Sequence, residues 1–259
     1  LQVTGIWNDF LFSVIYTRPD IYPMTVQLNN IVNSVQGVKE YNVNMAATLL
    51  TGLHSHANGA TSNRSAFRDD LPTFAKTLRA SGYATAMIGK WHLKSDPVGF
   101  DYWEVFPGQG SYYNPDFITP DGRVRIEGHA TNVTTDLAIE WLEGRDPDKP
   151  FVLYVAHTMM HTIIGASERF RGKSKGDLYG DVVEEFDYET GRLLDTLDEL
   201  KLSDNTLVIY TSDNGPWNQD KYTRKKKGHP EGSIFWGEAG PLRNGKGSSY
   251  EGGYRLPCI

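Results

Sequence analysis

Four short segments carry residues able to handle a compact anion. In Gly89-Lys90-Trp91-His92-Leu93 an ammonium and an imidazole stand two residues apart. On an extended segment that spacing puts both side chains on one face, and a cation beside an imidazole suits an anionic ligand. In His157-Thr158-Met159-Met160-His161 two histidines follow an apolar run. Such a pair can bind metal or serve as acid and base, while a structural role for His157 stays open. Thr211-Ser212-Asp213-Asn214-Gly215 offers two oxygen donors to a hard cation, although Asn-Gly is equally a favoured tight turn. The fourth segment, Pro241 to Pro257, sets Lys246 between Gly245 and Gly247, and glycines that dense let backbone approach a ligand closely. Taken singly, each segment also has a plain reading: a surface lysine, a packed histidine, a turn, a basic loop.

The elements that must position these residues alternate between strand and helix. Tyr83 to Ile88, Phe151 to Ala156 and Thr206 to Tyr210 are short apolar runs of strand composition. Each ends where one of the first three segments begins. Leu71, Phe74, Ala75 and Leu78 recur at helical spacing, Thr131 to Glu143 reads as a second helix, and Tyr179 to Leu200 as the longest. On that last helix Val182, Val183, Phe186, Leu193, Leu194, Leu197 and Leu200 form the apolar side. Glu184, Glu185, Asp187 and Glu189 are expected to be solvated. Buried strands joined by helices predict an α/β fold, with a mostly parallel central sheet covered by helices on both faces. Ligands in such folds bind beyond the carboxyl ends of the strands, which is where the candidate residues lie.

Composition narrows the class. The chain has 259 residues, 39% of them hydrophobic, and a formal net charge of −6. That is enough for a large core, and the length fits one large domain over residues 1–259 or a domain plus a fragment. A mildly acidic chain lacks the basic face that nonspecific nucleic-acid binding needs. The basic run Arg224 to Lys227 reads as a solvated loop. No run approaches the roughly 18 apolar residues of a membrane span. The single cysteine, Cys258, excludes an intrachain disulfide. The sequons Asn63-Arg64-Ser65 and Asn132-Val133-Thr134 point weakly to an exported protein, whether periplasmic, secreted or lysosomal.

In combination the segments resemble the sulfatase family of the alkaline-phosphatase superfamily. Gly82 to Leu93 is similar to the family's second signature, and Gly99-Phe100-Asp101-Tyr102-Trp103 follows it as in many members. Asp213-Asn214-Gly215 and then Gly245-Lys246-Gly247, Tyr250 to Gly253 and Arg255 resemble the arylsulfatase pattern. Thr51-Gly52-Leu53-His54-Ser55-His56 resembles the tail of the first signature. The resemblance runs from about Thr25 to Ile259 and implies hydrolysis of a sulfated carbohydrate or an aryl sulfate. It implies calcium held in part by Asp213 and Asn214, and sulfate clamped by Lys90 and Lys246. His92 matches the residue that helps release sulfate from the nucleophile. His161 matches a histidine beside the leaving-group oxygen, where it or Lys246 would be the general acid.

The sequence departs from that pattern in places that matter. The family nucleophile is a formylglycine made from Cys or Ser in Cys/Ser-x-Pro-x-Arg, which should fall near Asn42 to Ala46. The residues there are Asn42-Val43-Asn44-Met45-Ala46. The paired N-terminal carboxylates of the metal site have only Asp9 nearby, Thr158 stands where a lysine is expected, and the smaller C-terminal subdomain is absent. Two readings follow: a sequence lacking residues between Met45 and Ala46, which is favoured, or a degenerate homologue that binds anionic glycans without turnover. A phosphate- or phosphonate-ester hydrolase on the same scaffold is a third.

Overall fold

The computed structural model describes residues 41–60, 65–161, 164–217, 237–248 and 250–259. The helices among them are α1 (Tyr41–Thr51), α2 (Ser55–Asn58), α3 (Phe74–Ala80), α4 (Ala130–Gly144), α5 (Asp177–Glu199) and α6 (Glu251–Tyr254). The strands are β1 (Ala84–Gly89), β2 (Tyr102–Val105), β3 (Asp116–Thr119), β4 (Gly122–Arg125) and β5 (Phe151–Ala156). The chain divides into two compact units. One comprises Leu1–Leu71, Val208–Asn218 and Glu238–Ile259; the other comprises Pro72–Leu207 and Gln219–Gly237.

The unit around Pro72–Leu207 is a mixed α/β layer built on a sheet of order β4-β3-β2-β1-β5. β1 is parallel to both β2 and β5, whereas β3 is antiparallel to β2 and β4. The parallel character therefore sits around β1, and the β3–β4 hairpin adds an antiparallel edge. Ala86, Met87 and Ile88 of β1 are fully buried, as expected for the central strand of a covered sheet. Thr73 starts α3, its hydroxyl accepting the Lys76 amide at 3.1 Å. α4 packs on β1 and β5, and α5 packs on α4. Phe117 and Phe106 anchor a second cluster beneath α4, with ring centroids 4.4 Å apart.

Two expectations are corrected in this unit. On α5, Glu184 and Asp187 are exposed, but Glu185 and Glu189 are buried with Asp181. Each buried carboxylate has partners from outside α5 or from the next helical turn. Asp181 accepts the amides of Gly172, Lys173 and Ser174, at 2.7, 3.0 and 2.8 Å. Glu189 accepts from Asn132 and, at 2.7 Å, from Arg192. Val183, Leu194 and Leu200 of the expected apolar side are instead exposed. The Asn132 sequon is closed in the same way: its amide serves Glu189, and Thr134 is fully buried on α4. Asn63, Arg64 and the run Arg224 to Lys227 lie outside the described residues.

In the other unit α1 runs into α2 through a turn set by Thr51. The Thr51 hydroxyl donates to Ala47 O at 2.6 Å and accepts the Leu53 amide at 3.1 Å. The strand expected at Thr206 to Tyr210 does not form, and Leu207 is 80% exposed. Tyr210 instead exchanges both backbone hydrogen bonds with Ile259, at 2.8 and 3.0 Å, beside a Thr211–Cys258 bridge. β-branched composition makes a strand only where a neighbouring strand pairs with it. Among the described residues Leu207 to Ile209 has no such partner.

Candidate active site

Lys90 and His92 leave the carboxyl end of β1, and His161 follows the carboxyl end of β5. The parallel register sets Gly89 opposite Ala156, so both segments emerge from one edge of the sheet. Gly89 allows this approach: its φ is +106°, and a Cβ there would fall 2.2 Å from Ala156 O. The Lys90 amide then donates to the same carbonyl at 2.7 Å. Beyond the strand, Trp91 and Leu93 are buried while Lys90, His92 and Lys94 are not. Trp91 packs edge-on against Phe100. The two-residue alternation therefore persists, although His92 and Lys94 take left-handed φ values of 56° and 58°. Such backbone is costly for non-glycine residues and clusters at functional sites.

The local field favours an anion. Burial lowers the His92 pKa, and the charges of Lys90 and Lys94 lower it further. A neutral imidazole beside two ammonium groups can donate from one nitrogen and take a proton on the other. His92 Nδ1 is shut away from solvent without a protein hydrogen-bond partner among the described residues.

His157 behaves differently. Both its ring nitrogens are inaccessible and unpartnered among the described residues, and the ring meets Phe186 edge-on at 5.0 Å. Burial pushes its pKa down to about 4, so it is a neutral packing residue in the folded chain. The unfolded chain protonates this histidine near pH 6.5. Stability is therefore full above that pH and is lost as pH falls toward 4. From pH 8 to pH 4.5 the loss is about 2.5 kcal/mol. A His157→Leu variant should lose about that much less over the same range in urea unfolding, and identical pH profiles would refute this role.

The second group of candidates lies together in the other unit. The Gly215 amide donates to Gly253 O at 2.9 Å, and the Lys246 amide to Pro216 O at 2.8 Å. A Cβ on Gly215 would lie 1.8 Å from Gly252 O, so the Asp213-Asn214-Gly215 turn needs its glycine. Lys246 is half-buried, and burial lowers its pKa while the Asp213 carboxylate raises it. Asp213 and Lys246 are thus electrostatically coupled, a carboxylate and a partly desolvated ammonium, with Asn214 next to Asp213 in the turn. Asp213 and Asn214 fit a hard cation in donor type but supply only two of the six to eight oxygens calcium takes. No cluster of three or more His, Cys, Asp or Glu that could hold a metal occurs among the described residues. Asp9 lies outside the described residues.

Sequence reasoning found both groups but missed the residues that hold the His161 segment. Tyr112 donates to His161 O at 3.0 Å, and Tyr113 to Ala166 O at 2.8 Å. These bonds go to backbone carbonyls, which leave no signature in the sequence.

The Sulfatase family model matches residues 20–259. An N-acetylglucosamine-6-O-sulfatase of Bacteroides thetaiotaomicron is 42% identical over 149 residues, covering 56% of this chain and 27% of that enzyme. The steryl-sulfatase of Mus musculus is 40% identical over 272 residues, covering 72% of this chain and 42% of that one. A protein solved in complex with its substrate D-glucosamine-2-N,6-O-disulfate superposes with a TM-score of 0.66 at 25% identity, covering 91% of this chain and 65% of that chain. The chain spans about a quarter to a half of the length of the curated relatives it matches. On these matches the chain belongs to the sulfatase family of the alkaline-phosphatase superfamily.

Proposed function

We propose that this chain forms part of a sulfuric ester hydrolase acting on sulfated carbohydrate. The observation that carries the reading is the emergence of Lys90, His92 and the His161 segment from adjacent parallel strands. In this reading Lys90 and Lys246 clamp the sulfate oxygens through charge-assisted hydrogen bonds. His92 hands protons to and from the sulfate group, and His161 or Lys246 protonates the departing alcohol oxygen. Asp213 and Asn214 contribute to a calcium site, and calcium bound there would polarise the sulfate oxygens. The family's formylglycine belongs to the same proposal, although Asn42 to Ala46 contains no residue that could give rise to it. An exported location would bring the chain to sulfated glycans. No helix among the described residues is long and apolar enough to cross a membrane.

A 6-O-sulfated glucosamine is the favoured ligand. Its chemistry appears both in the name of the 42%-identical relative and in the substrate of the protein at TM-score 0.66. Titrating N-acetylglucosamine-6-sulfate into the chain with calcium should give saturable binding that the unsulfated sugar does not. Equal binding of both sugars would overturn the reading. A matched phosphate ester tests the phosphohydrolase alternative, because its dianion carries one more negative charge. The second reading, a glycan-binding homologue without turnover, is favoured by the composition of Asn42 to Ala46 alone.

A further inference from the structure

The segment that follows β5 is fastened at its backbone by side chains from three separate places. Tyr112 Oη donates to His161 O at 3.0 Å, and Tyr113 Oη donates to Ala166 O at 2.8 Å. His129, at the start of α4, has Nε2 3.0 Å from Gly165 O. A carbonyl only accepts, so Nε2 carries the proton. From α5, Glu185 Oε2 accepts the Ser167 amide at 2.9 Å. These residues are themselves linked. Glu185 Oε1 lies 3.1 Å from His129 Nδ1, with both side chains almost wholly buried. The Tyr113 ring packs on the His129 ring, and the two residues form a β-bridge.

A buried contact between two polar groups is weak evidence for stability, because desolvation offsets most of its attraction. Here it does something more specific. Burial raises the Glu185 carboxyl pKa, but the His129 ring and the Ser167 hydrogen bonds outweigh that and hold it below the usual carboxylate range. The charged carboxylate is thus kept where it grips one backbone amide and faces the imidazole that grips a carbonyl two residues earlier.

We propose that Tyr112, Tyr113, His129 and Glu185 are positioning residues that fasten the backbone at His161 and at Gly165, Ala166 and Ser167, and so fix His161 beside the sheet edge that carries Lys90 and His92. The catalytic meaning of that placement rests on the sulfatase reading; the fastening itself does not. Catalytic groups must be held to a fraction of an ångström, and a segment leaving β5, an edge strand among the described residues, has no ladder of its own there to supply that.

The test is the imidazole NMR signal of His161, assigned with His161→Gln. Tyr112→Phe removes one hydroxyl and little else. Glu185→Leu removes the carboxylate, and Glu185→Gln restores shape and hydrogen bonding without charge. In Tyr112→Phe and Glu185→Leu the His161 signal should shift or broaden while the His92 signal stays in place, and Glu185→Gln should recover most of the original His161 signal. Binding of inorganic sulfate, read at His161, should weaken about fivefold in Tyr112→Phe, the worth of one hydrogen bond. An unchanged His161 signal in Tyr112→Phe and in folded Glu185→Leu would overturn the proposal; if Glu185→Leu fails to fold, Tyr112→Phe decides alone. Sulfate that perturbs neither His161 nor His92 in the unaltered chain would count against the sulfatase reading instead, and would leave the fastening to be judged by the variant signals.

Discussion

Replacing Asp213 and Asn214 together with alanine should remove the stabilisation that calcium is proposed to confer on the chain. The two residues are the hard oxygen donors of a turn that backbone hydrogen bonds from Gly215 to Gly253 and from Lys246 to Pro216 hold in place. A cation that binds only the folded state adds RT ln(1 + [L]/Kd), about 2.7 kcal/mol at a hundredfold excess over Kd. For a chain of this size that is a rise of roughly 5–10 °C in Tm. The double variant should melt at one temperature with and without calcium. In calcium-free buffer it should melt close to the unaltered chain, because Asp213 is exposed and surface substitutions usually cost within about 0.5 kcal/mol. A full calcium shift in the double variant would place the cation elsewhere. A lowered Tm in both buffers would make the pair a structural turn, since Asn-Gly is favoured there without any metal.

What the sequence reveals about the fold follows what each element asks of its neighbours. β1 and β5 are legible because Ala84 to Gly89 and Phe151 to Ala156 are apolar runs that need covering on both faces. α4 and α5 are legible because their apolar residues recur at helical spacing. β2, β3 and β4 leave almost no signal: each has only four residues, and every residue of β4 is exposed. Thr206 to Tyr210 fails in the opposite direction, having strand composition but no partner for Leu207 to Ile209 among the described residues. Charge misleads in the same way. Glu185 and Glu189 look like a solvated face until His129 and Asn132, more than fifty residues earlier, are folded against them. The candidate site is more legible than the fold. Its groups sit on local motifs, and a strand end followed by glycine must present whatever comes next. Its supporting residues, Tyr112, Tyr113 and His129, are invisible because they act on carbonyls remote in sequence.

The polypeptide with Asn42-Val43-Asn44-Met45-Ala46 as it stands should hydrolyse essentially no sulfate ester. These residues lie on α1, where the motif resemblance implies the family's nucleophile, and neither asparagine nor methionine attacks sulfur. Losing a covalent nucleophile costs about 10⁴- to 10⁶-fold in kcat even where binding survives. The decisive comparison sets the literal sequence beside one carrying Cys-x-Pro-x-Arg before Ala47. Both are expressed with the formylglycine-generating enzyme and assayed in calcium on an aryl sulfate and on N-acetylglucosamine-6-sulfate. Turnover only in the restored chain would support a sulfatase that lacks its nucleophile loop. Turnover by the literal sequence would show that the nucleophile lies elsewhere. If both chains bind the sulfated sugar and neither turns it over, the missing metal-site carboxylates account for the inactivity as well as a glycan-binding role does, and restoring those carboxylates beside the nucleophile is the next comparison.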